Sequence, residues 1–334
     1  MSRASNLAGF TTSISPPSSL SVGIVTATSV QTTSINNGPL AGFRNAIING
    51  NFDIWQRGTS DFGQGYRADR WNAYLVAGAS MLQSRYTLTD AQRNIIGYEA
   101  AYAWQVVTGD TTSSVQLQQP IEGVKTFASQ QISVSFWAFT DTGTCTISSL
   151  MAQGFGSGGS PSTSVETSLT LSATTITTTP TKITAVVTLP SITGKTLGTD
   201  PNSDSLSLVI RKVAGAANRL RIAQVQMEPG PVATPFERRP IGTELSLCQR
   251  YYQSFVAYLL VYTAGNGTGY AQTITYPEMR DAPSVATSGA SYLNSSGVSV
   301  SSITRTKLHF GAACNNAGGV PVSVSATLAL SSEL

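Results

Sequence analysis

Charge is the scarcest ingredient of this chain. Only 11% of its 334 residues are Asp, Glu, Lys or Arg, against roughly 25% in an ordinary soluble domain. Hydrophobic residues still make up 41%, enough for a core, so a highly charged disordered chain is excluded. Lysine is rarer than arginine, with 5 Lys beside 15 Arg and none before Lys125. The net charge of +3 divides into +2 over residues 1–44, −1 over 45–237, +2 over 238–253 and zero over 254–334. No segment carries the concentrated positive field that a phosphate backbone demands, which argues against a nucleic-acid partner. The bias toward Arg, with its planar fork, points to structural pairing or interface contacts.

Histidine and cysteine are nearly missing too. A single His309 cannot anchor a histidine-based metal site, and Cys145, Cys248 and Cys314 form no CxxC spacing. Three free, buried thiols are expected, as in a protein folded in a reducing cytoplasm. No cofactor is expected, and no metal-ligand set stands out. No run approaches 18 apolar residues, so no membrane insertion is expected. The opening MSRASNLAGFTTSISPPSS has no apolar h-region and does not read as a secretory signal.

What replaces the charge is hydroxyl: 43 Ser and 41 Thr make up a quarter of the chain, alongside 30 Gly. That composition describes strands and turns. Period-2 alternation is clear where Ile132, Val134, Phe136 and Ala138 interleave with Ser133, Ser135, Trp137 and Phe139. It recurs at Leu169, Leu171 and Ala173, at Ile183 to Leu189, and at 113–119, 206–213 and 219–227. Gly/Pro/Ser clusters at 154–162, 190–203 and 214–217 separate these runs. Short strands, frequent turns and no long helical period predict an all-β jelly-roll β-sandwich over 45–237.

Length predicts a second unit. Residues 238–253, RRPIGTELSLCQRYYQ, read as a connecting helix capped by Thr243, the one convincing helix in the chain. Beyond it Tyr258–Val261, 270–276, 284–290, 297–304 and 320–330 predict a small C-terminal β domain over 254–334. Its core is thin, so burial against neighbouring copies is expected through Tyr251, Tyr252 and Phe255. Residues 1–44 hold two Arg, no acid and much Ser, Thr, Pro and Gly. They read as an extended arm, disordered alone and ordered on a partner.

Catalytic chemistry does not stand out. His309 lies in an alternating strand context, and nothing sets two of the scattered carboxylates across one substrate. The stretch GFGSGGS at 154–160 lacks the Lys-Ser/Thr ending of a phosphate loop and reads as a hairpin loop. The Thr-rich run at 174–181 reads as half-exposed strand. Aromatics offer more: Trp55, Trp71, Trp104 and Trp137 all fall within 45–237. Most should be core. If their strand faces outward, Trp71, Asn72, Tyr74 and Gln83 are the candidate glycan contacts.

Three stretches carry a resemblance. NAIINGNFDIWQRGTS at 45–60 with YRADRWN at 66–72, VQMEPGPVATPFERRPIGTELSLCQRYYQ at 225–253, and YPEMRDAPSV at 276–285 resemble segments of bacteriophage tail fibre proteins with a carbohydrate-binding-module-like jelly roll. MSRASNLAGF is similar to the start of such fibres, especially those of cyanobacterial phages. The resemblance spans most of the chain in outline and about 80 residues in motif. It implies a virion protein, a homotrimer whose residues 1–44 attach to other tail or baseplate proteins, assembled in the host cytoplasm. It implies adhesion to a host surface glycan or receptor and no enzyme. The alternatives are a purely structural capsid or tail fibre or decoration protein without receptor binding, and a glycan-degrading fibre. Some related jelly rolls hold a structural calcium, but no ligands in this chain are matched to it.

Overall fold

The computed structural model describes residues 42–78, 80–213, 218–262, 269–295, 297–315 and 321–334. The expected arm lies outside them up to position 41. The fold is all-β, with a large jelly-roll sandwich followed by a short helix and a small second sandwich.

The large sandwich stacks two antiparallel sheets. One has six strands in the order β1 (Ser60–Phe62), β4 (Met81–Thr87), β5 (Tyr102–Thr108), β13 (Arg219–Pro229), β7 (Gln131–Phe139) and β11 (Thr181–Thr188). The other runs β10 (Thr175–Ile176), β8 (Cys145–Gly154), β12 (Ser205–Lys212), β6 (Ser114–Glu122), β3 (Asn72–Ala77) and β2 (Gly65–Tyr66), with β9 (Val165–Ser168) also on β8. Alternation builds the core. Val115 and Leu117 point inward while Gln116 and Gln118 point out, and the inward sets of both sheets meet around Phe52, Trp71 and Trp104. Those three rings lie 5.3–5.8 Å apart, the spacing of tilted aromatic packing.

β7 and β13 are buried on both faces. The reason is a cover on the outer side of the six-stranded sheet. Helix α1 (Asp90–Ile96) and the strap 230–237 lie there, and Leu88, Ile96 and Ala100 pack on Ala103, Phe139 and Ala223. The alternation at Leu169, Leu171 and Ala173 is not a strand. Leu169 N donates to Ser149 O in one sheet and Ser172 N to Thr184 O in the other, so this irregular segment seals the open edge of the sandwich. The Gly-rich 154–160 stretch belongs to the connection between β8 and β9.

Helix α2 (Ile241–Gln249) joins the two sandwiches. Thr243 does not cap it; the N-cap is Pro240, which makes no side-chain cap, and Glu244 in the first turn accepts from Asn49 N and Arg239. The small sandwich faces β14 (Tyr252–Tyr262), β19 (Pro321–Ser331) and β16 (Ser284–Leu293) against β15 (Gly269–Thr275), β18 (Lys307–Ala313) and β17 (Ser299–Ser301). Its core is Ala257, Leu259, Met279, Leu308, Phe310, Val324, Leu328 and neighbours. His309 sits on β18, half-buried. The three cysteines are buried.

Candidate functional site

The stretches most legible in the sequence turn out to close the fold. Asn45 Nδ2 donates to Val225 O at 3.2 Å, and Asn45 Oδ1 accepts from Ile47 N and Met227 N at 3.0 Å each, so one amide bridges the first and last segments of the sandwich. Gly50 is needed there because a Cβ would come within 2.1 Å of Val225 O. Glu228 Oε1 accepts from Thr234 N at 2.7 Å, Gln226 Oε1 from Glu237 N at 2.7 Å, and Glu237 Oε2 from Asn45 N at 2.7 Å. The strap with its Ala-Thr-Pro-Phe-Glu sequence is therefore pinned by three side chains of its own motif.

A second group of motif residues forms the joint between the sandwiches. Arg250 makes a two-pronged pair with Glu122 at 2.9 and 2.8 Å, and Tyr251 OH donates to the same carboxylate at 2.7 Å. Burial raises the Glu122 pKa, but these hydrogen bonds outweigh it and hold the carboxyl below its usual range. Arg70, wholly buried, stacks on Tyr251 at 3.4 Å and pairs with Glu333. Arg57 stacks on Tyr252 at 3.5 Å and reaches Glu333 at 3.0 Å. Burial pushes the nearby Asp69 carboxyl up to about 6, against hydrogen bonds from Gln56 and the charge of Arg57. Arg280 of the 276–285 motif donates to Ser332 O at 2.9 Å and Asn202 O at 2.7 Å.

This placement corrects the expected oligomer contacts. Tyr251 and Tyr252 are buried inside the chain under arginine, and Phe255 packs inward toward Tyr276 at 6.4 Å. The exposed apolar residues lie one position out of phase: Val256, Tyr258, Leu260 and Tyr262 line the outer face of β14, each more than half exposed.

Of the four expected glycan contacts, two have no free surface. Trp71 is fully buried in the aromatic core and donates to Asn49 O at 3.2 Å. Gln83 shares the inward parity of Met81 and spends its amide on Gly63 O and Gly65 O at 2.9 and 3.1 Å. Asn72 and Tyr74 do lie on an outer face, that of the seven-stranded sheet. Asn72 is itself covered and donates to Tyr74 OH at 2.7 Å, which fixes the exposed phenol.

Register extends the row across the sheet. Tyr74 stands opposite Gln116, Gln116 opposite Arg211, and Arg211 opposite Ser148. Gln116 donates to Gln118 at 2.9 Å, Arg211 donates to Gln116 at 3.1 Å, and Arg211 stands 3.9 Å from Glu166. An aromatic ring, two amides, a guanidinium and a carboxylate thus lie side by side on the outer face, Tyr74 and Glu166 exposed and the others half-buried. Such a face can offer stacking and directed hydrogen bonds to a polyhydroxylated ligand. Gln116 and Gln118 were visible as the polar half of an alternating strand, whereas Arg211 joins them only through cross-strand register.

No family model matches the chain, and no curated protein does. Solved structures with a similar arrangement include the enzymatically active domain of tailspike protein 4 of bacteriophage CBA120, at 11% identity and TM-score 0.32, over 56% of this chain and 21% of that one. The chain therefore spans about a fifth of that tailspike structure. Others are the xylan-binding domain of carbohydrate-binding module family 22, at 10% identity and TM-score 0.34 over 55% and 99% of the two chains, and the C-terminal family 22 module of Clostridium thermocellum Xyn10B, at 12% and 0.34 over 50% and 89%. At such identities and TM-scores the likeness transfers neither ligand nor activity.

Proposed function

We propose that the protein is a phage virion fibre component that attaches through residues 1–44 and adheres to a host surface glycan. The observation that carries the adhesive role is the row of Tyr74, Gln116, Gln118 and Arg211 on the outer face of the seven-stranded sheet, Tyr74 exposed and the others half-buried. The fibre assignment rests on the motif resemblance. The protein binds without cutting. Glycoside cleavage needs two carboxyl groups across the sugar, roughly 5–10 Å apart. Among the described residues the face carries Glu166 and, at its far end, Glu122, which Arg250 and Tyr251 hold in the joint.

Self-association belongs to the same proposal, with three copies as the resemblance implies. β14 is an edge strand with an apolar outer face, and β16 at the other edge is exposed along nearly its whole length. No residue from Phe255 to Tyr262 is charged. An uncharged edge strand of this length invites pairing unless another surface covers it, and the second copy supplies that cover.

Sedimentation and binding of the full chain to host polysaccharide test these roles. Wild type sediments as an oligomer and binds without releasing reducing ends. Tyr74→Ala with Gln116→Ala abolishes binding and leaves sedimentation and melting unchanged. Retained binding in that variant refutes the face, new reducing ends refute the non-enzymatic role, and no binding by wild type favours the purely structural fibre.

A further inference from the structure

The outer side of the six-stranded sheet holds a cavity that neither the fold nor the row of Tyr74 uses. Its floor is set by register: Trp137 on β7 stands between Ala223 on β13 and Lys182 on β11. Between Ala223 and Gln226 the pairing slips, and Gln224 takes a left-handed backbone with φ of 48°. Such a bulge re-aims a side chain, and the Gln224 amide joins the cavity lining. One wall is Pro235 and Phe236 of the strap, fixed in place by Gln226 and Glu228; another is Ile96 at the end of α1. The space is about 210 Å³. That is below the roughly 300–1,000 Å³ of sites for drug-sized ligands, a size for one ring rather than a stretch of chain.

The polar groups around it are unspent. Among the described residues the Lys182 ammonium has no ion pair, and the side chains of Ser135, Gln224 and Trp137 make no hydrogen bond. Nearly all the other arginines and amides named above are committed to partners. The lining contains an ammonium, an amide, a hydroxyl and an indole N–H, and no carboxylate. Donors outnumber acceptors, and the only formal charge is positive. Aromatic walls with convergent donors suit a sugar ring, and the surplus of donors beside an ammonium suits an anionic substituent on it.

We propose that this cavity binds a single carboxylate-bearing sugar unit, with the ring against Trp137 and Phe236 and the carboxylate on Lys182 and Gln224. It is a second site, separate from the seven-stranded face, and it stands or falls apart from the adhesive role given to that face.

Tryptophan fluorescence of the full-length protein reads the site directly. Trp137 is the half-exposed tryptophan, whereas Trp55, Trp71 and Trp104 are buried. Titration with glucuronate or galacturonate produces a saturable change, and glucose or galactose produces a much weaker one. Lys182→Gln, at an exposed position, weakens uronate binding by about tenfold, the loss of one charge-assisted contact. Trp137→Phe removes the signal, and isothermal titration then follows binding in its place. Tyr74→Ala leaves the response intact, so a failure here is distinguishable from failure of the seven-stranded face. No saturable response, equal response to neutral sugars, or full affinity in Lys182→Gln overturns the proposal.

Discussion

Two β-sandwiches in one chain solve the problem of their outer faces differently. The large one buries a continuous core and then covers the outer side of its six-stranded sheet with α1 and the strap, so that β7 and β13 are enclosed on both sides. The small one has a sound interior around Phe310, Val324 and Leu328 but leaves Val256, Tyr258, Leu260 and Tyr262 facing water. A strand pattern alone does not distinguish these cases, since both show inward alternation. The difference lies in whether the local chain supplies a lid. Among the described residues the small unit has none, and its stability is tied to what it touches: the joint on one side and, in our proposal, another copy on the other.

The largest expected effect is on that joint. Arg70 is wholly buried, pairs with Glu333, donates to Pro120 O and supports Tyr251. Removing one member of a buried pair costs about 3–5 kcal/mol because the other is left uncompensated. Arg70→Ala is expected to split a single calorimetric transition into two, with the small sandwich melting first. A single unshifted transition would show that the units are not coupled through this residue.

The joint also makes the comparison pH-dependent. Asp69 is raised from 3.8 to about 6 in the folded protein. The folded state therefore takes up a proton, as pH falls through 6, that the unfolded chain takes up only near 4. Stability from this group is fully present below about pH 4 and is lost as pH rises through 6, a swing of about 3 kcal/mol at most. Glu122, held below its usual range, works in the opposite sense at lower pH. Denaturant midpoints of wild type should rise from pH 7 to pH 5, and Asp69→Asn should flatten that rise. A flat wild-type profile would mean that Asp69 is not held up by burial.

Much of this architecture was legible in the sequence, and the exceptions share a cause. Val322 to Leu330 alternates in the sequence as it does on β19, and the period-2 run from Ile132 to Phe139 is the strand β7. The Arg bias toward fixed contacts is met at Arg57, Arg70, Arg250 and Arg280. What sequence could not give was parity and register. Trp71 and Gln83 point inward while Tyr74 points out, and Tyr251 and Tyr252 face the large sandwich rather than solvent. Each of these depends on which side of a strand a turn delivers, and a shift of one residue reverses it. The Trp137 cavity depends further on a bulge and on a strap distant in sequence.

The smallest expected effect concerns the lid itself. Helix α1 was missed, although Thr89 and Gln92 have the spacing of a capping box: Thr89 Oγ1 accepts from Gln92 N at 3.3 Å, and Gln92 Oε1 accepts from Thr89 N at 3.0 Å. Seven residues are too few for a helix to persist alone, so the cap and the packing of Ile96 on the sheet must hold it together. Thr89→Ala removes half of the reciprocal pair, a loss of about 1 kcal/mol. Because α1 covers the sheet without belonging to it, the loss should be local. Hydrogen exchange of the amides in 92–97 should quicken several-fold, while β7 and β13 keep their protection and the melting transition barely moves. Faster exchange in β7 as well would mean that the lid and the sheet open together, and that the large sandwich depends on its cover as closely as the small one is proposed to depend on its neighbour.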